Sequence, residues 1–269
     1  MKRQPFTQKL TGWVIGLALV SWVGHVECCY GQADAAPAVK VALVYTGSTP
    51  ELRRDVVREI KEQVGERVEF LVYEVPEVLA AIKSTGYVTA APAAKLIGTY
   101  MKAVEAGADA IMNICSTTAD IAYSTRGVSA YIGVPIIIVN EEMCREAIRT
   151  GSRIGIMATF QVSINPTKKI IERVSREMGK HVETVEVVVE GGYGMEQEQF
   201  KALMAAKAKE IIDRVDVIIF TQGSMAYCEE HIETMFKKPV LSNPHYSAKE
   251  LKAALVAKGF KLDGAKDAQ

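Results

Sequence analysis

The chain has 269 residues, 49% of them hydrophobic and 24% charged, with 32 basic residues against 32 acidic ones. It is too apolar to be disordered, and with no basic block it is a poor candidate for electrostatic nucleic-acid binding. The length allows one large or two medium domains, and five cysteines are too few for a disulfide-built scaffold.

The first 33 residues read as an export signal. Lys2, Arg3 and Lys9 precede an uncharged stretch, Thr11–Gly24, and small residues follow. That stretch has 14 residues, short of the roughly 20 a helix needs to span a bilayer. No stable membrane span is therefore expected once the signal is removed. Cleavage fits after Gly31-Gln32-Ala33 or after Ala33-Asp34-Ala35, and Glu27 before Cys28 argues against lipidation. The mature chain would keep 29 basic and 31 acidic residues, net −2. It would keep three cysteines: Cys115, Cys144 and Cys228. A periplasmic or secreted location follows from this reading. An odd cysteine count there leaves at least one thiol free unless pairing is intermolecular.

Short β-branched runs read as buried strands at Val41–Tyr45, Val68–Tyr73, Ala110–Ile114, Pro135–Val139, Arg153–Ala158, Val182–Val189, Val217–Phe220 and Val240–Leu241. Helical patterns lie between them at Glu51–Val64, Ala91–Ala106, Pro166–Met178, Glu196–Asp213 and Ala248–Lys258. Asn165 is the expected N-cap of the third, with Pro166 at its first position. Ser247 and Glu250 have capping-box spacing for the last. Alternation of this kind predicts an α/β fold with mostly parallel sheets covered by helices.

Two stretches repeat. ADAIMNICSTTAD (108–120) aligns without gaps to VDVIIFTQGSMAY (215–227), and KVALVYT (40–46) aligns to RIGIMAT (153–159). Asp109 matches Asp216, and Cys115 faces Gln222. Two pseudo-symmetric α/β halves account for both pairs; a shared Val/Ile bias of buried strands is the plainer alternative.

Ligands of such sheets bind beyond the carboxyl ends of the strands. Thr46-Gly47-Ser48, Cys115-Ser116-Thr117, Thr159 and Gln222-Gly223-Ser224 fall there, each expected to open a helix. Helix starts offer free N–H groups that suit a carboxylate and favour a thiolate. From position alone Cys115 reads equally as a reactive thiol or as packing. Cys144 and Cys228 look less chemical, although a disulfide between them is open. His181 and His231 read as surface residues, and His245 sits on a late loop that could reach the site. No His/Cys/Asp spacing supports a metal site. Gly191-Gly192-Tyr193-Gly194 lacks a nucleotide fingerprint and reads as a flexible turn or lid.

Cys115-Ser116-Thr117-Thr118 after a buried strand, then Gly133-Val134-Pro135, then Arg153-Ile154-Gly155-Ile156-Met157-Ala158-Thr159, resembles the aspartate/glutamate/hydantoin racemase superfamily. The resemblance runs from about Val41 to Leu255. It implies two α/β domains with the active site between them. Domain one would be 38–136 plus 240–269, and domain two 137–239. It implies no cofactor, a small carboxylate or amino-acid substrate, and two thiols facing the substrate α-carbon. A homodimer is compatible with it.

Here the first thiol is Cys115, and Gln222 stands where the second belongs. Tyr45-Thr46 replaces the Asp-Ser usual in glutamate racemases. The expected activity is therefore a cofactor-independent, racemase-like isomerisation at an α-carbon by a single thiol. Cys115 and Gln222 would be catalytic, and Thr46, Gly47, Ser116, Thr117, Thr159, Gly223 and Ser224 would hold substrate. A decarboxylase of the same superfamily and an exported small-acid binder without turnover are the alternatives.

Overall fold

A computed structural model describes residues 38–263. The expected signal segment, its cleavage sites, His25, Cys28 and Cys29 lie outside the described residues.

The first half runs β1 (Val39–Tyr45), α1 (Pro50–Val64), β2 (Val68–Glu74), α2 (Pro76–Thr85), α3 (Ala90–Glu105), β3 (Ala110–Ile114), α4 (Ala119–Ser124), α5 (Arg126–Ile132) and β4 (Ile136–Ile138). Helix α6 (Glu141–Thr150) leads into the second half. That half contains β5 (Arg153–Ala158), α7 (Ile164–Glu177), β6 (Glu183–Val188), α8 (Gln197–Lys209), β7 (Val217–Phe220), α9 (Glu229–Phe236) and β8 (Val240–Ser242). Helix α10 (Asn243–Ala257) returns to pack against α1. Among the described residues, no helix is long and apolar enough to cross a membrane.

Two four-stranded parallel sheets result, ordered β2-β1-β3-β4 and β6-β5-β7-β8. The same order in both halves gives the sequence repeat its structural meaning. The paired stretches occupy equivalent places: β1 matches β5, and β3 matches β7. The repeated aspartates also do the same job. Asp109 Oδ2 accepts the Lys40 N–H at 2.9 Å, and Asp216 Oδ2 accepts the Arg153 N–H at 2.9 Å. Each carboxylate thus satisfies a backbone donor at the entry to its central strand, where a free N–H would be costly.

The central strands are apolar on both faces because helices cover both. Val41, Leu43 and Tyr45 pack toward α1 and α10, whereas Ala42 and Val44 join a different cluster. That second cluster includes Ile154, Ile156 and Ile219 of the other sheet, so one continuous apolar core joins the halves. Helix α1 shows how local sequence sets the boundary. Thr49 Oγ1 accepts the Leu52 N–H at 3.2 Å, Pro50 opens the helix, and Leu52, Val56, Ile60 and Val64 form its buried stripe.

Several expected boundaries move. β4 ends at 138 within the first sheet, and β8 pairs with β7 in the second. The sheets therefore exchange a few residues with the ranges expected for the two domains. Helix α7 begins at Ile164 behind a 3₁₀ turn, Gln161–Ser163, so Asn165 is inside the helix and is not its cap. Ser247 and Glu250 lie inside α10, which starts at Asn243-Pro244. The Ser247 hydroxyl donates to the Asn243 carbonyl oxygen instead of capping a terminus. The helix expected over Glu196–Asp213 ends at Lys209 and is followed by a 3₁₀ turn, Ile212–Arg214.

Candidate active site at the strand ends

The carboxyl ends of β1, β3 and β7 contribute to one cavity, with residues from both halves. Thr46 and Gly47 follow β1, Cys115, Ser116 and Thr117 follow β3, and Gln222, Gly223 and Ser224 follow β7. All eight line the cavity.

Cys115 is held by its neighbours. Its backbone is extended, with φ −160°, and its thiol is partly exposed. Asn113, fully buried in β3, donates from Nδ2 to the Cys115 carbonyl oxygen at 3.2 Å. Asn113 Oδ1 accepts the Tyr100 hydroxyl at 2.9 Å. The Thr118 hydroxyl lies 3.1 Å from both Asn113 Oδ1 and the Cys115 carbonyl oxygen. This buried set fixes the peptide that carries the thiol. Sγ itself lies 2.9 Å from Thr117 Oγ1. Burial pushes the Tyr100 phenol well above its usual pKa, so it stays a neutral donor.

The opposite half differs in kind. Gln222 Oε1 accepts the Thr159 N–H at 3.0 Å and the Thr221 hydroxyl at 2.8 Å. Its Nε2 donates to Ser163 Oγ at 3.0 Å. The amide therefore clamps the β5–α7 connection to the end of β7, with most of its hydrogen-bonding capacity used within the protein. Behind it, Asn140 Nδ2 lies 3.1 Å from Thr167 Oγ1 and 3.3 Å from the Thr221 carbonyl oxygen. Asn243 Nδ2 donates to Asn140 Oδ1 at 2.8 Å. This chain of buried amides ties α6, α7, β7 and α10 together around the cavity floor.

Gly223 is required by close approach. A Cβ there would lie 2.5 Å from Leu52 Cδ1 and 2.8 Å from Asn243 Oδ1. The helix starts are weaker than expected. Cys115 precedes a three-residue 3₁₀ turn, Ser116–Thr118, and then the short α4; Gln222 precedes a 3₁₀ segment, Gly223–Cys228. A long helix follows Thr46-Gly47-Ser48 through α1, whereas after Thr159 the long α7 begins behind the 3₁₀ turn Gln161–Ser163.

Thr159 does not line the cavity. It borders a neighbouring recess shared with Ser224 and Tyr193, and it reaches the site through the N–H it gives Gln222. Its hydroxyl is buried with no hydrogen-bond partner. His245 lies on α10, its Nδ1 is 2.9 Å from Glu59 Oε2, and it is not part of the cavity. Cys144 and Cys228 are buried and free, so the disulfide considered for them does not form. Desolvation raises both thiols, Cys228 to about 12 and Cys144 further.

The sequence reading missed the far wall. Leu79 on α2, Phe160 after β5 and Tyr193 from the Gly191–Gly194 turn complete the cavity. The two rings are 5.0 Å apart, and Lys83 Nζ stands 3.5 Å from the Phe160 centroid. Gly191 and Gly194 have φ of 72° and 80°, values that favour glycine, and the turn they form presents Tyr193. The tyrosine within that glycine-rich stretch was the available signal. Asn243 also lines the cavity, and Asn-Pro at its position was the matching clue.

Among the described residues, no group of three or more His, Cys, Asp or Glu could hold a metal ion. What the cavity offers is one thiol, several hydroxyl and amide donors, and an apolar far wall. Such a site can bind a small anion and move a proton beside it.

This arrangement, two like-ordered parallel sheets with strand-end residues around a shared cavity, defines a two-sheet α/β protein with its site between the halves. The Asp/Glu/Hydantoin racemase family model matches residues 41–251, and the chain belongs to that family. Solved structures agree at the level of fold. A glutamate racemase from Bacillus anthracis is 16% identical with a TM-score of 0.63, covering 84% of this chain and 85% of that one. An allantoin racemase from Klebsiella pneumoniae is 11% identical with a TM-score of 0.58, covering 84% and 90%. A maleate isomerase from Pseudomonas putida is 15% identical with a TM-score of 0.53, covering 81% and 93%. No match was found among curated proteins.

Proposed function

We propose that this racemase-family protein is an exported, cofactor-independent isomerase that moves a proton at the α-carbon of a small carboxylate, with Cys115 as the acid/base thiol. The observation that carries the reading is the asymmetry of the cavity. Cys115 presents a thiol between hydroxyl donors, while Gln222, at the equivalent place in the other half, is tied into the protein. The export assignment rests on the basic, apolar and small-residue order of residues 1–33.

In this mechanism the Cys115 thiolate removes the α-proton, and the electron pair moves onto the carboxylate. Thr46, Ser116, Thr117 and Ser224, with nearby backbone N–H groups, stabilise the oxygens as charge develops. Return of a proton by the thiol to the face it left gives exchange with retention, and a proton delivered by solvent water to the opposite face completes the isomerisation. Gln222 neither accepts nor donates a proton in this cycle, because an amide does not titrate in this range. Its role is to hold the Thr159 and Thr221 segments in place.

The test is deuterium incorporation at the α-carbon, followed by proton NMR over a panel of small carboxylates, amino acids and substituted malonates. Wild-type protein should exchange at least one panel member, and Cys115→Ser should abolish the exchange. Binding without exchange, unaffected by Cys115→Ser, would favour the binding-protein alternative. Release of carbon dioxide from a malonate would favour the decarboxylase.

A further inference from the structure

The charge inventory of the cavity limits what it can hold. Among the described residues, none of those lining it is charged. Position 45, where glutamate racemases carry an acid, holds Tyr45; that side chain is buried in the core and is not part of the cavity wall. No other lining residue supplies a carboxylate in its place.

The nearest carboxylates are committed elsewhere. Glu51 and Glu196 border the neighbouring recess. Glu196 accepts the N–H groups of Glu198 and Gln199 at the start of α8. Glu51 is held ionised by hydrogen bonds from its own backbone N–H and from Thr49. Glu74 pairs with Arg53. Against the aromatic part of the lining stands a cation, Lys83, packed over Phe160 and Tyr193.

The lining is of two kinds. Cys115, Ser116, Thr117, Gln222 and Ser224 supply its polar lining, whereas Leu79, Phe160 and Tyr193 add apolar surface from three other segments. An α-amino acid would place an ammonium in this space with no carboxylate to pair with it. The discriminating charge is Lys83, packed over two rings of the lining: it offsets the charge of an anion and repels an ammonium. A carboxylate meets N–H and O–H donors, and a second, apolar group meets the aromatic wall.

We infer that the site takes a small carboxylate whose reacting carbon bears no ammonium, and whose other substituent is apolar and packs against Leu79, Phe160 and Tyr193. This rests on the same cavity being the active site, and it narrows the substrate away from the amino acids in the family's name.

The experiment uses ligand pairs that differ only in the ammonium: phenylglycine with phenylacetate, phenylalanine with 3-phenylpropionate, aspartate with succinate. Binding is read by protection of Cys115 from iodoacetamide in the full chain, located by peptide mapping, and by titration calorimetry. In each pair the ammonium-free acid should bind at least about ten-fold more tightly, and phenylacetate should bind more tightly than succinate. Equal or tighter binding of the amino acids overturns the inference, as does failure of every ammonium-free acid to bind. Thr46→Asp puts a carboxylate on the wall and should shift each ratio toward the amino acid by about ten-fold or more; unchanged ratios contradict the charge argument. Tight binding of phenylacetate with no α-proton exchange would sink the enzyme reading and leave this inference standing. Exchange on aspartate with none on ammonium-free acids would do the reverse.

Discussion

Replacing Gln222 with leucine, which is one heavy atom shorter and has no polar atoms, tests whether the amide is a clamp. Three contacts vanish: the Thr159 N–H at 3.0 Å, the Thr221 hydroxyl at 2.8 Å and the Ser163 hydroxyl at 3.0 Å. The hydroxyls can turn to other partners. Ser163 already donates to the Phe160 carbonyl oxygen at 2.7 Å, and Thr221 lies 3.4 Å from Ser163 Oγ. The Thr159 N–H cannot turn, because the backbone that carries it is fixed at the end of β5. An orphaned buried N–H costs about 1–3 kcal/mol, and each lost hydroxyl contact about 0.5–1.5 kcal/mol. Because the hydroxyls keep other partners, each counts at its lower figure, and with a mid-range cost for the N–H the sum is about 3 kcal/mol. At about 2–4 °C per kcal/mol for a domain of this size, Tm should fall by about 6–12 °C. Differential scanning calorimetry and urea unfolding would measure it. A change within about 0.5 kcal/mol, the range of an ordinary surface substitution, would refute the clamp.

Other consequences can be checked alongside. Gln222→Cys places a thiol at the position equivalent to Cys115 and should raise inversion relative to exchange in a racemisation assay; an unchanged ratio would mean the two positions do not face one substrate. Native iodoacetamide labelling mapped by peptide should mark Cys115 long before Cys144 and Cys228, which are buried with raised pKa values and should react only on unfolding. Glu250 is pushed up to about 8, chiefly by desolvation and then by neighbouring Glu141, with Arg126 opposing. Its Oε2 is buried without a partner, although the side chain as a whole is 22% exposed. The folded state therefore holds this proton more tightly than the unfolded chain, where Glu titrates near ~4.3. The sign follows: the Glu250 contribution to stability is intact below about 4.3 and declines as pH rises toward about 8. The full shift bounds it at about 5 kcal/mol, and solvent contact leaves less. Urea unfolding at pH 5.5 and 8.5 should show Glu250→Gln gaining on wild type at the higher pH; a pH-independent difference would contradict the burial argument.

Much of this was legible in the sequence, for identifiable reasons. Buried parallel strands are dense in Val and Ile, so all eight stand out, and Arg153–Ala158 and Val217–Phe220 keep their ends unchanged. The repeat pointed to both halves because Asp109 and Asp216 perform the same local task. Helix starts were harder. Ser247 and Glu250 match a capping box, yet Pro244 had already opened the helix one turn earlier. Asn165-Pro166 looked like a cap and first position, but a 3₁₀ turn supplies the preceding residues. At the site, polar residues beyond strand ends were visible as motifs, whereas the wall of Leu79, Phe160 and Tyr193 was not. Its members come from three separate segments, and only the folded chain brings them together.

The single-thiol claim is tested most directly by following exchange and inversion together on one enantiopure substrate. An acid such as 2-phenylpropionate, in deuterated water, suits the experiment. With Cys115 as the one protein group that carries the proton, most returns occur at the face of removal and solvent water reaches the other face more slowly, so solvent deuterium should enter the α-position faster than the optical rotation is lost. Equal rates of deuterium entry and inversion would require a second acid/base group on the opposite face and would contradict the account.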